Sequence, residues 1–135
     1  MHQIINDLLN YGLEHGITMI ATNQLSPYTP SGTDTETKRI VFNMNWHDKK
    51  QLPLQLAHEL QHIMNGDNSS EPLYFTPTRN KIEHQANIGA IKMLLPYYLE
   101  DKQPEDINVY DFMDQFSIPS YLDVDIMNII KAPSN

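Results

Sequence analysis

Five consecutive residues, His58-Glu59-Leu60-Gln61-His62, carry more chemical potential than any other stretch of this chain. On a helix, positions four apart lie about 40° apart around the axis, so both imidazoles leave one side and can grip a single ion. Glu59 stands about a quarter turn away, beside such an ion but off the two-histidine edge. A general base acting on water near a metal belongs there. The bland alternative is a pair of solvated surface histidines. Against it, Leu56, Ala57, Leu60, Ile63 and Met64 fall on an arc of about 120° opposite the histidines, so the helix can bury its back.

Catalytic zinc usually takes three protein ligands. The chain has no cysteine, so the third must be His, Asp or Glu. Glu83 is the best candidate. In a helix it shares a face with Ala86, Asn87, Ala90, Ile91 and Leu94, while Lys81, Gln85 and Lys92 lie opposite. A carboxylate inside an apolar stripe needs a partner, because losing its hydration costs several kcal/mol. A divalent cation would supply that compensation. The alternative is a Glu83 at the rim, solvated or paired with Arg79. Asn87, one turn on, is placed to hold a ligating histidine by its second ring nitrogen.

Asp67 is a rival third ligand. The pattern that places a ligand after a glycine turn, however, needs Gly at position 65 and His or Asp at 68, and here these are Asn65 and Asn68. His84 points about 100° from Glu83 and is either a surface residue or a substrate contact. His2, His15 and His47 have no partner spacing and receive no role.

The elements that must position these groups read as one α+β domain over residues 1–135, mostly helical, with a small two- to three-stranded sheet. Ile4, Ile5, Leu8, Leu9 and Leu13 recur at helical spacing, and Gly16 is placed to stop that helix. Residues 17–22 form a short β-branched run. Residues 23–37 are turn-rich, and 38–45 alternate around Ile40, Phe42 and Met44, which predicts a hairpin between the two runs. Pro53 is tolerated only in a first turn, so the motif helix should begin near 50–53 and close at Gly66. Thr76-Pro77 is a plausible start for a long helix reaching Leu95, where Pro96 discourages continuation. Two short helices follow at about 106–116 and 120–131.

The 135 residues carry a formal charge of −8. An acidic surface repels phosphate backbones, and no Lys/Arg cluster exceeds Lys38-Arg39 or Lys49-Lys50, so direct nucleic-acid binding is not expected. The absence of cysteine removes disulfides and thiolate nucleophiles. Polar residues in the first twenty positions argue against a secretory signal, and no apolar run is long enough for a bilayer span. The expectation is a soluble cytoplasmic protein with no membrane contact. The oligomeric state is not readable. Asp101, Glu105, Asp106, Asp111, Asp114, Asp123 and Asp125 read as a solvated face.

The order His58-Glu59-Leu60-Gln61-His62, then Glu83-His84-Gln85-Ala86-Asn87, then Met93-Leu94-Leu95-Pro96, resembles the ImmA/IrrE family of small metallopeptidases. Members typically show His-Glu-Leu-Gly-His, then Glu-x-x-Ala-Asn/Asp, then Phe-Ala-Ala closing with Leu-Leu-Met-Pro. The match runs from about residue 40 to 96. Gln61 replaces the usual Gly, Gly89 the usual Phe and Ile91 the usual second Ala. The resemblance implies a zincin-like fold in which Glu83 completes a one-zinc site and Glu59 acts as base. It also implies a phage or mobile-element setting, in which the partner is a repressor that is cleaved or inactivated.

The leading expectation is a zinc-dependent endopeptidase, with Tyr74, His84, Tyr97 and Tyr98 as candidate oxyanion donors. A second reading is a zinc-containing module that binds a repressor without cutting it. A third is a metal-free helical interaction protein in which both clusters are accidental.

Overall fold

The computed structural model describes residues 2–67, 73–74 and 81–131. Helix α1 (His2–Glu14) buries Ile4, Ile5 and Leu8, and the chain turns out of it at Gly16, where φ is +73°. Only glycine takes that backbone conformation without steric cost, so the helix ends where the sequence places its stop.

Four strands form one sheet: β1 (Thr18–Thr22), β2 (Gly32–Asp34), β3 (Arg39–Asn43) and β4 (Leu73–Tyr74), in the order β1-β3-β2-β4. The expected hairpin between residues 17–22 and 38–45 does not form. β1 and β3 instead run parallel, with Thr18 opposite Arg39 and Thr22 opposite Asn43. The cause is β2, which reverses the chain between them and pairs antiparallel with β3, Thr33 opposite Ile40. The Asp34 carboxylate accepts from the amides of Glu36 and Thr37 and tightens the β2–β3 turn. β4 adds a fourth strand along the free side of β2. The architecture is α+β, as expected, with a sheet one short strand wider.

Helix α2 (Leu52–Met64) carries the histidine motif. A 3-10 turn at Lys49–Gln51 precedes it, Pro53 sits in its first turn, and Gly66 (φ +69°) closes it. Leu52 through Leu60 and His62 are all buried. The expected one-sided burial is therefore only half of the arrangement. Leu56, Ala57 and Leu60 do face the core, but Met64 is exposed, and the histidine side is covered as well. The reason is position. α2 lies against α1 and the sheet on one side and against helix α3 (Lys81–Leu99) on the other.

The proposed start of α3 at Thr76-Pro77, with Arg79, lies outside the described residues. At its other end the helix does not stop before Pro96 but continues to Leu99. An interior proline costs roughly 3 kcal/mol. The turn beyond it buries Tyr98, a side chain worth about 1.5–3 kcal/mol in apolar area. Tyr98 also donates its hydroxyl to the carbonyl of Asn108 (3.2 Å) and accepts from that residue's amide (3.0 Å). These gains together offset the proline.

Asn108 in turn caps helix α4 (Val109–Phe116), accepting from the amides of Tyr110 and Asp111. A 3-10 turn (Ser120–Leu122) leads into helix α5 (Asp123–Lys131). Phe112, Phe116, Leu122 and Ile126 from this C-terminal part are fully buried. None of the described helices is long and apolar enough to cross a membrane.

Two of the departures from the family pattern meet each other. A Cβ built on Gly89 would fall 2.7 Å from Cγ of Gln61 and closer still to its amide. Gln61 is held there by donating to the Met93 sulfur at 3.0 Å. Gly89→Leu should therefore overpack the α2–α3 contact and lower stability by about 1–3 kcal/mol. Gln61→Ala in the same chain should return most of it in thermal melts. An equal loss from Gly89→Leu in both backgrounds would show that Gln61 is not what requires glycine there.

Candidate metal centre

Burial of polar groups along α2 obliges each of them to find a partner. Gln55 accepts from the amide of Ser31 at 3.2 Å, which ties the helix to the approach of β2. His58 and His62, one turn apart, are fully buried with ring centroids 4.8 Å apart. Both present Nε2 to the Glu83 carboxylate, at 2.8 Å for His58 and 3.2 Å for His62. Glu83 is 5% exposed, and its place in the first turn of α3 brings it over the histidine pair. The remaining ring nitrogens are also engaged. Asn87 Oδ1 lies 2.7 Å from His58 Nδ1, and Asp67 Oδ2 lies 3.0 Å from His62 Nδ1.

Glu59 lies beside this cluster, fully buried. Thr33 on β2 donates its hydroxyl to Oε2. Among the described residues, Oε1 of Glu59 has no hydrogen-bond partner. A buried acceptor left in this way is costly unless something else meets it.

One donor atom from each of His58, His62 and Glu83 lies within 4.8 Å of the others, the one such group of three among the described residues. Ligands about 2.0–2.1 Å from a tetrahedral ion stand roughly 3.4 Å from one another, so the observed spacing fits a divalent cation after a small outward shift. The donor set fits as well. Two imidazoles and a carboxylate suit zinc and other borderline metals, and three protein ligands are the number a catalytic site takes, against four for a structural one. The unpartnered Oε1 of Glu59 gives the cluster a polar neighbour that no described residue satisfies.

Helical spacing points to His58, His62 and Glu83 as candidate ligands, with Glu59 and Asn87 beside them, and the fold brings all five together. Thr33 lies beyond that reading, and Asp67 enters it only as a rival ligand, whereas the structure gives it a supporting place. Gly66 turns the chain so that a residue five positions beyond His62 folds back onto it, a signal that is readable in the sequence. Two candidate oxyanion donors are committed elsewhere: Tyr97 bonds Asp7 at 2.7 Å, and Tyr98 bonds Asn108. His84 Nε2 lies 3.5 Å from Asp125 Oδ1. The side chain of Tyr74 lies outside the described residues.

Burial and pairing drive the ionisable groups apart. Burial pushes Glu59 up to about 8, and the Thr33 hydrogen bond only moderates it. Burial also works against the charged forms of Glu83 and His62, yet their bonds win. Hydrogen bonds from His58 and His62 hold Glu83 down to about 2, and those to Glu83 and Asp67 raise His62 to about 9.

Stability should follow these shifts in the metal-free chain. What Glu59 and His62 confer is complete below their ordinary values of 4.5 and 6.5, and is lost as pH rises through about 8 and 9. What Glu83 confers is complete above 4.5 and is lost as pH falls through about 2. The metal-free protein should therefore melt at a higher temperature at pH 6 than at pH 9, with a smaller difference in Glu59→Gln. A melting temperature that is flat or rising between those pH values would contradict the assignment.

The IrrE N-terminal-like domain model of the M78 peptidases matches residues 14–124. No curated protein and no solved structure matches the chain. The matched span takes in α2, α3, every strand and the whole His-His-Glu cluster, so the chain belongs to the ImmA/IrrE family of metallopeptidases.

Proposed function

We propose that this chain is a zinc-dependent endopeptidase in which His58, His62 and Glu83 hold one ion and Glu59 is the general base. The observation that carries the proposal is Glu59, a fully buried carboxylate beside the cluster with one oxygen tied to Thr33 and the other without a partner among the described residues. When bound, zinc supplies Lewis acidity, which polarises a carbonyl and makes a proton on water easier to remove at neutral pH. Everything else falls to side chains.

Thr33 holds Oε2 of Glu59 and leaves Oε1 for the water. Oε1 takes the proton from the attacking water and later returns it to the departing amine. Asn87 and Asp67 hold the two imidazoles by Nδ1, which leaves Nε2 of each for the ion.

The substrate we propose is a regulatory protein, a repressor of a phage or mobile element, met in the cytoplasm. Support for this comes from family membership, and the acidic charge of the chain accords with a protein partner in place of DNA. A module that only sequesters such a repressor has no use for a buried, one-sided carboxylate next to its metal ligands.

Elemental analysis of protein prepared without chelators should find about one zinc per chain, lost in His58→Ala and Glu83→Ala. Glu59→Gln should keep the zinc and lose about 10²- to 10⁴-fold in turnover when co-expressed with the repressor encoded beside it. Equal relief of repression by parent and Glu59→Gln, with the repressor intact on gels, would favour sequestration. Thr33→Val should keep zinc and lower turnover about ten-fold, the scale of one hydrogen bond to a charged group.

A further inference from the structure

The two ligating histidines are supported by different chemical groups. Asp67 serves His62 and Asn87 serves His58. A carboxylate offers an acceptor at either oxygen, so it needs no help in choosing which end to present. A carboxamide does need help, because one end accepts and the other donates. Turned by half a revolution, Asn87 would present its NH₂ to His58 Nδ1, and a proton could no longer be held on that nitrogen.

Something must therefore select the amide's orientation, and the fold places a phenolic oxygen at the NH₂ end. Asn87 Nδ2 donates to the hydroxyl of Tyr121 over 3.2 Å. Asn87 is 2% exposed, so bulk water does not compete freely for that end. Tyr121 belongs to the 3-10 turn before α5, and its position is set by the core: the adjacent Leu122 and the following Ile126 are both fully buried. His84 Nε2, on the same stretch of α3, lies 3.5 Å from Asp125 Oδ1 of α5.

We infer that Tyr121 is a positioning residue of the metal centre. It fixes the Asn87 amide, which keeps the His58 proton on Nδ1 and its Nε2 lone pair directed at the ion. The inference rests on the reading that His58, His62 and Glu83 hold zinc. It gives the C-terminal part of the chain, distant in sequence from every ligand, a direct hold on metal affinity.

Zinc affinity measured by competition with a chromophoric chelator tests this directly. Tyr121→Phe keeps the ring and removes the hydroxyl, and it should weaken zinc binding about ten-fold. Asn87→Asp removes the need to choose an orientation. In that background Tyr121→Phe should no longer change the affinity, a non-additivity that simple loss of packing would not produce. Tyr121→Phe binding zinc as tightly as the parent would overturn the inference, and so would an equal loss from Tyr121→Phe in the parent and in the Asn87→Asp variant. A parent that takes up no zinc would overturn the metal reading, and the inference would fall with it.

Discussion

A carboxylate stripped of water must find positive charge or hydrogen-bond donors close by, or give up its own charge. Glu83 meets that demand with two imidazoles, and the rest of the fold is arranged around keeping them in reach. The imidazoles come from one helix and the carboxylate from another, so the spacing of α2 and α3 sets whether the three groups meet. Desolvation costs several kcal/mol per ion, so even a modest separation of the helices would leave a charge uncompensated. That accords with the burial of α2 from Leu52 through Leu60 and at His62. Walled by the sheet, α1 and α3, it has little freedom to slide or roll.

Glu59 and Glu83 show how environment alone can give one residue type two roles. Both are buried within the same site, yet one is raised to about 8 and the other held at about 2. The difference lies in what each oxygen faces. Glu83 faces two ring nitrogens, whereas Glu59 faces one hydroxyl and, at Oε1, nothing among the described residues. Separation of this kind between neighbouring carboxyls is how a site distinguishes a group that stays ionised from one that carries protons. β2 therefore matters out of proportion to its three residues, because Thr33 is the strand's contribution to that asymmetry.

The parts of this architecture that could be read from sequence are those governed by local periodicity. The helical repeat of α1, the stops at Gly16 and Gly66, the four-residue histidine spacing and the carboxylate within the stripe of α3 all depend on neighbours along one helix. β2 could not be read in this way. Gly-Thr-Asp has the composition of a turn, and it is a strand only because β3 and β4 pair with its two edges. The parallel pairing of β1 and β3 was hidden for the same reason. Continuation of α3 through Pro96 depends on what Tyr98 finds in α4, a contact that no local rule anticipates. Thr33 and Tyr121 likewise reach the centre through tertiary placement, and nothing in their immediate sequence marks them.

Two of the three departures from the family pattern, Gln61 and Gly89, make sense on the same terms. On α2, Gln61 and Glu59 lie on opposite flanks of the histidine pair, roughly 80° to either side of it. Gln61 is directed at α3, where Gly89 leaves it room, and Glu59 is directed at β2. Where relatives carry a small residue on α2 and a large one on α3, this chain carries the reverse. A size exchange between facing helices preserves their separation, which is the quantity the ligand cluster depends on. In this chain the Gln61–Gly89 contact leaves His58 and His62 within bonding distance of Glu83, and it lies on the flank of α2 opposite Glu59.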